Sequence, residues 1–345
     1  MTAVYKAVAR WKSKIFQRAA AIFLCAVLLI STLSNANAQR EDKDATFRSG
    51  VNLVLSDVSV TDGDGVPVSA LTRDQFQIKE NGKPRELSRF EEGSSSVSLA
   101  LIVDYSGSMT PRRQAVINGV EALVGQLQPG DEAALLVFNE HVNVLKTFLT
   151  SFKAEDWTAP MMNRKPTGQT ALYDAILQAS HLLETSAHER RVIVVLSDGK
   201  DTASKASLES TLDELRSSNR LLYTVGLFER GEPETDAASL RKLSEATGGS
   251  LLFDPDGTHL PETFTAIMKD LRARYLLGFY AEAPATGKAE VRRISISVQP
   301  SNRGSLRVRA RRDLWQQGVW SRAVLLQREL WHLRAARRGV HSDRL

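Results

Sequence analysis

The chain has 345 residues, 42% of them hydrophobic and 25% charged, enough for a packed core and for about two domains of roughly 100 to 200 residues each. Its 45 Lys and Arg against 40 Asp and Glu give a net charge of +5, but Lys6, Arg10, Lys12, Lys14 and Arg18 all precede residue 39, and without them the charges balance. Basicity is therefore no argument for nucleic-acid binding, and a single cysteine, Cys25, excludes an internal disulfide.

Taken in chain order, the five basic residues lead into an apolar run at 19–33 that is too short to span a bilayer comfortably as a helix of about 20 residues. It ends in Ala36-Asn37-Ala38, a small-x-small cleavage signal. Residues 1–38 thus read as a secretory signal peptide cut after Ala38, which sends the rest to the periplasm or the extracellular space. An uncleaved N-terminal membrane anchor is the alternative, because residues 30–35 could extend the apolar stretch. Cys25 is no lipoprotein cysteine, since Ile22-Phe23-Leu24 lacks the small residues such a site needs.

Residues 39–49 form a polar leader. Val51, Leu53 and Leu55 alternate in one phase and Val58 and Val60 in another, which predicts a half-buried strand with an irregularity. Thr61-Asp62-Gly63-Asp64-Gly65 predicts a hairpin turn; Asp62 and Asp64 suggest a calcium loop, but the other ligands of an EF-hand are missing. Strand-like residues 76–78 and 87–90 flank a further turn at Asn81-Gly82. Residues 39–95 therefore supply a leader and β-rich accessory strands.

The run Leu99-Ala100-Leu101-Ile102-Val103 reads as a buried parallel strand, followed at once by Asp104-Tyr105-Ser106-Gly107-Ser108. A helix is expected at 112–127, stopped by Pro129-Gly130, then a strand at 133–138 with an antiparallel neighbour at 142–145. Residues 152–168 read as a long irregular loop, the kind that is often functional; its Arg164 and Lys165 could guide an anion, or could simply be solvated loop charges. Thr170 opens a helix expected to reach residue 184, and Asp198 closes a strand at 191–196. Helices at 208–217, 237–246 and 261–274 then alternate with strands at 221–227 and 250–253. This alternation predicts an α/β fold with a doubly wound, mostly parallel sheet over residues 96–275. Strands expected at 275–280, 291–298 and 306–310 place a C-terminal β segment at 276–312, which joins the N-terminal strands in one smaller β-rich unit.

Residues 313–345 read as a basic tail; from residue 301 onward eleven Arg face only Asp313, Glu329 and Asp343. Val324, Arg328 and Trp331 share a helical stripe, and a basic amphipathic helix can contact a membrane surface or an acidic partner. A partly disordered appendage is the alternative.

In an open α/β sheet, ligands sit outside the carboxyl ends of the strands, where Asp104, Ser106, Ser108, Thr170 and Asp198 deliver five hard oxygens. Carboxylate, hydroxyl and water suit Mg²⁺ first, with Ca²⁺ or Mn²⁺ as further candidates. The order Asp-x-Ser-x-Ser, then a Thr at a helix start and an Asp after a later strand, resembles the metal-ion-dependent adhesion site (MIDAS) of von Willebrand factor type A (VWFA) domains. Ser108-Met109, Thr170-Ala171-Leu172-Tyr173-Asp174-Ala175 and Leu196-Ser197-Asp198-Gly199 extend the likeness, which covers residues 98–275. The resemblance implies a Rossmann-like domain in which Asp104, Ser106, Ser108, Thr170 and Asp198 ligate the cation directly or through water.

With two serines and a threonine among the donors the ion is undercompensated, so a protein partner presenting an Asp or Glu would complete its shell. The chain also resembles exported bacterial VWFA-related proteins, whose N- and C-terminal strands bracket the A domain; it departs from them at Arg312-Asp313-Leu314-Trp315 and the Arg-rich tail. The function expected is cell adhesion or scaffolding through metal-dependent protein binding, with no nucleic acid and no enzyme. A structural envelope protein without functional metal is one alternative. A hydrolase using Ser106, His141 and Asp198 is another, weakened by the absence of a Gly-x-Ser-x-Gly elbow. His188-Glu189 lacks a second His at metalloprotease spacing.

Overall fold

The computed structural model describes residues 52–93, 96–199, 201–229, 236–281, 290–299 and 305–316. The expected signal peptide and leader, and the tail beyond residue 316, lie outside the described residues. Among the described residues no helix is long and apolar enough to cross a membrane.

The chain begins with β1 (Asn52–Thr61), β2 (Phe76–Glu80), β3 (Lys83–Arg85) and β4 (Leu87–Glu92). It continues through β5 (Val97–Asp104), α1 (Arg113–Val124), β6 (Glu132–Phe138), β7 (Val142–Leu149), α2 (Ala154–Met162), α3 (Leu172–Leu182) and β8 (Arg190–Ser197). Then follow α4 (Leu208–Ser217), β9 (Arg220–Gly226), α5 (Ala237–Thr247), β10 (Leu251–Phe253) and α6 (Leu260–Arg272). The last strands are β11 (Tyr275–Ala281), β12 (Glu290–Val298), β13 (Arg307–Arg309) and β14 (Asp313–Gln316).

Six strands form the central sheet in the order β10-β9-β8-β5-β6-β7. All neighbours are parallel except β6 and β7. Every residue of β5, β6 and β9 is buried, which is why these strands read as unbroken apolar runs: helices cover both faces. On one face α1, α2 and α6 deliver Val116, Val120, Trp157, Met161, Phe264 and Leu271. On the other, α3, α4 and α5 deliver Ile176, Ala179, Leu212, Leu215, Leu240 and Leu243. Gly119 lets α1 and α6 approach closely, since a Cβ there would lie 2.8 Å from Leu260 Cβ. This is the doubly wound α/β architecture the alternation of elements predicts.

The accessory strands form two four-stranded sheets, β13-β1-β11-β4 and β14-β12-β2-β3, around a shared core that includes Val58, Phe76, Ile78, Tyr275, Phe279 and Ile294. N- and C-terminal strands interleave in both sheets, so the α/β domain is inserted between two parts of a β-sandwich. Buried ion pairs tie the units together. Arg190, at the start of β8, bonds Asp57 of β1 at 2.8 Å; Arg274 reaches the Asp57 carbonyl, the Gly248 carbonyl and Asp270.

Four local expectations change. In β1 the inward phase is Val54, Val58 and Val60, while Leu53 is 45% exposed; Leu53 and Leu55 lie on the opposite face over Gly278. The strand itself is continuous, and the register shift falls in its neighbourhood, between Gly278 and Phe279 where β11 meets β4. Asn81 and Gly82 both have positive φ, 47° and 80°, the geometry of a two-residue hairpin. They join β2 directly to β3, and 87–90 belongs to the other sheet, against β11. Residues 152–168 contain the helix α2, whose Trp157, Thr158 and Met161 are buried on one side. Finally, the strands run past 312: Asp313–Gln316 pairs with β12, because β12 has a free edge on which Asp313 sits opposite Arg293.

Candidate metal centre

β5 and β8 are adjacent and parallel, so the residues that follow them emerge side by side at the same edge. Asp104, the last residue of β5, is 0% exposed. Its Oδ1 accepts the Ser106 N–H at 2.9 Å and its Oδ2 accepts the Ser197 hydroxyl at 2.7 Å. Tyr105 turns inward and donates its hydroxyl to the Met161 carbonyl, Ser106 is buried and Ser108 is exposed. Ser108 rides on a short 3-10 turn, Gly107–Arg112, that precedes α1.

The hydroxyls of Ser106 and Ser108 are 3.1 Å apart, and Ser108 donates to Asp198 Oδ1 at 3.0 Å. Asp198 Oδ2 lies 3.5 Å from an Nη of Arg112. Thr170 is 6% exposed and is brought to this edge by its backbone. Its N–H donates to Thr202 Oγ1 at 3.0 Å, and its carbonyl accepts from the Thr202 and Ala203 N–H groups, which belong to the loop after Asp198. The segment before Thr170 is laced to the β5 turn by Thr167 N–H to the Tyr105 carbonyl and Gly107 N–H to the Gly168 carbonyl.

Burial pushes the Asp104 carboxyl up to about 6, with the charge of Asp198 adding to the rise and the bonds from Ser106 and Ser197 opposing it. A buried carboxylate in this position calls for a positive charge. Ser106 to Ser108 and Ser108 to Asp198 measure 3.1 and 3.0 Å, hydrogen-bond contacts that bring three oxygen donors to one point. The donors fit a small hard cation.

Of the five residues expected from the sequence, Ser106, Ser108 and Asp198 are in side-chain contact. Asp104 joins through the Ser106 backbone, and Thr170 through the neighbouring loop. Two residues were missed: Ser197, whose hydroxyl holds Asp104, and Arg112, which pairs with Asp198. Ser197 carried a weak signal as a polar residue closing an apolar strand, whereas Arg112 looked like any charge at a helix start.

Arg164 and Lys165 line a pocket of about 190 Å³ with Tyr105, Asn139, Asn143 and Thr167, beside the β5 turn. His141 lies in the turn between β6 and β7, and among the described residues no hydrogen bond joins it to Ser106. Asp254, Asp256 and His259 form another acidic group, but they sit at the N-terminus of α6, where the helix dipole itself favours carboxylates.

The molecule thus combines a doubly wound α/β domain with a cluster of oxygen donors at the carboxyl edge of its sheet, where open α/β sheets bind ligands. Residues 99–200 match the family model of the von Willebrand factor type A domain. No curated protein matches the chain.

Among solved structures, the chain is similar to the proximal thread matrix protein 1 of the mussel byssus, at 15% identity and a TM-score of 0.46 over 56% of this chain. It spans half the length of that protein, which has also been solved with zinc in its MIDAS motif. A von Willebrand factor type A protein from Catenulispora acidiphila is similar at 14% identity and a TM-score of 0.47, over 80% of this chain and 76% of that one. The corresponding domain of a type V pilus tip protein from Porphyromonas gingivalis aligns at 12% identity and a TM-score of 0.44, over 52% of this chain and 96% of that one.

Proposed function

We propose that this protein is an exported adhesion or scaffold module that binds a partner protein through a divalent cation, Mg²⁺ before Mn²⁺ or Ca²⁺, held by Asp104, Ser106, Ser108, Thr170 and Asp198. The observation that carries the reading is the chain of oxygens at the edge of the sheet. Ser106, Ser108 and Asp198 are in hydrogen-bond contact, beside the buried carboxylate of Asp104. When bound, the ion supplies Lewis acidity toward an anionic oxygen.

The protein's own residues do the rest. Ser197 and the Ser106 N–H orient Asp104, and the turn at Gly107–Arg112 presents Ser108 to Asp198. A carboxylate from the partner would approach the open side, where Ser108 is exposed. This is recognition chemistry and needs no catalytic step.

Calorimetry with Mg²⁺ and Mn²⁺ tests the reading directly, as does thermal unfolding in Mg²⁺ and in chelator. Absence of binding heat and identical unfolding curves would refute it in favour of a purely structural role. Affinity capture from envelope extract in the same two conditions identifies the partner. Its acidic surface residues, changed singly to Asn or Gln, should include one whose loss weakens binding more than about tenfold, roughly 1.4 kcal/mol. Export is tested by N-terminal sequencing of the native product: Gln39 at the start supports a cleaved signal, and a full-length membrane-bound product supports the anchor. Contact of the basic tail with a membrane surface is tested by sedimentation with anionic vesicles before and after removal of residues 317–345.

A further inference from the structure

The inference concerns Arg112 and rests on the cation reading above. Asp198 already has a positive neighbour: Arg112 Nη1 stands 3.5 Å from Asp198 Oδ2, while Ser108 occupies Oδ1. The pairing is built in from two sides. Arg112 ends the same 3-10 turn that carries Ser108, and its Nε donates to the Pro255 carbonyl at 2.7 Å, in the loop between β10 and α6. The Asp198 side chain is 4% exposed and that of Arg112 26%, so the contact is poorly screened on one side and reachable from solvent on the other.

The charge count decides what this does. Asp104 and Asp198 bring two negative charges to the site, and Arg112 sets a positive charge against Asp198 before any dication arrives. We propose that Arg112 is a resident counter-charge that holds metal affinity down and makes it depend on a carboxylate from outside. Metal and guanidinium compete for Asp198. An incoming carboxylate eases the conflict, because it brings negative charge to the ion and can accept hydrogen bonds from the donors of Arg112. Metal and carboxylate therefore bind cooperatively, each raising the affinity of the other by the same factor. Arg112 acts as a specificity-determining residue that keeps the site largely unloaded until an acidic partner is present.

The test is calorimetric titration of Mn²⁺ alone, and of Mn²⁺ in acetate, into the wild-type chain, Arg112→Gln and Arg112→Lys, with melting temperatures as the control for folding. The expected result is that Arg112→Gln binds Mn²⁺ about tenfold tighter and loses most of the gain from acetate, whereas Arg112→Lys, which keeps the charge, stays within about threefold of wild type. Equal or weaker Mn²⁺ binding by Arg112→Gln, with wild-type binding intact, overturns the role of Arg112 and leaves the metal centre standing. Tighter binding by Arg112→Lys to the same extent as Arg112→Gln also overturns it, because charge would not be the cause. If wild type and both variants fail to bind Mn²⁺, the metal centre falls and this role with it.

Discussion

Replacing Asp104 by Asn should stabilise the metal-free protein while abolishing its response to metal. Burial raises the Asp104 carboxyl from its ordinary 3.8 to about 6, which costs the ionised form on the order of 3 kcal/mol. The sign follows from linkage: with a folded-state value above the unfolded one, the protein is favoured at acidic pH and loses that stability as pH rises through about 6. At pH about 8 the wild type bears the whole penalty. Asn does not, although its amide group forces the Ser197 hydroxyl to turn from donor to acceptor and gives up a charge-assisted bond, at about 1–2 kcal/mol. The net gain is about 1–2 kcal/mol, or a rise in Tm of about 2–8 °C for a domain of this size. Wild type in Mg²⁺ at a hundred times its Kd should instead gain about 2.7 kcal/mol, and Asp104→Asn nothing. Differential scanning fluorimetry in chelator and in Mg²⁺, at pH about 5 and about 8, reads all of this. A lower Tm for Asp104→Asn in chelator at the higher pH, or a retained Mg²⁺ shift, would refute the reasoning.

Ser197→Ala removes a donor from Asp104 Oδ2 and should destabilise the metal-free protein by about 1–3 kcal/mol at pH about 8, but less at pH about 5, where the carboxyl is protonated; equal losses in urea unfolding at both pH values would count against the assigned bond. Burial pushes the Asp270 carboxyl upward, but Arg274, Arg309, Tyr223 and Ser59 outweigh it and hold the carboxyl well below its usual range. Its stability contribution is therefore present above the unfolded value of about 4 and lost as pH falls through the lower folded value, and Asp270→Asn should cost about 3–5 kcal/mol at neutral pH by leaving Arg274 buried without its charge partner, measured as a drop in urea midpoint. Gly249→Ala should cost about 3 kcal/mol, because its Cβ would stand 1.8 Å from the Leu222 carbonyl oxygen; an unchanged melting temperature would show that β9 and the α5 C-terminus are looser than described.

The parallel sheet was legible because strands buried on both faces leave no polar phase, and the runs at Leu99–Val103 and Val192–Leu196 have none. The placement of Asp104, Ser106 and Ser108 was legible for the same reason: residues directly after such a run fall at the carboxyl end of the sheet. The helix α2 was hidden because only Trp157, Thr158 and Met161 of its nine residues are buried, a pattern too short for periodicity to register, with Pro160 inside it. The phase of β1 failed because both faces are partly apolar, and pairing with β11 chooses between them. Arg112 and Ser197 escaped because their partners are distant in sequence, 86 positions away for Asp198 and 93 for Asp104, and no local pattern encodes a contact of that kind.

The insertion of the α/β domain into the sandwich has a mechanical meaning. The chain leaves the sandwich after Glu92 and returns at Tyr275, and these two residues are paired neighbours on β4 and β11. Gly93 also donates to the Arg274 carbonyl and accepts from Arg190 at 2.8 Å, beside the pair of Arg190 with Asp57. The domain hangs from a double strap instead of a single thread, and a strap resists twist where a thread swivels. Any force applied to the α/β domain is thus shared between two adjacent crossings instead of falling on one.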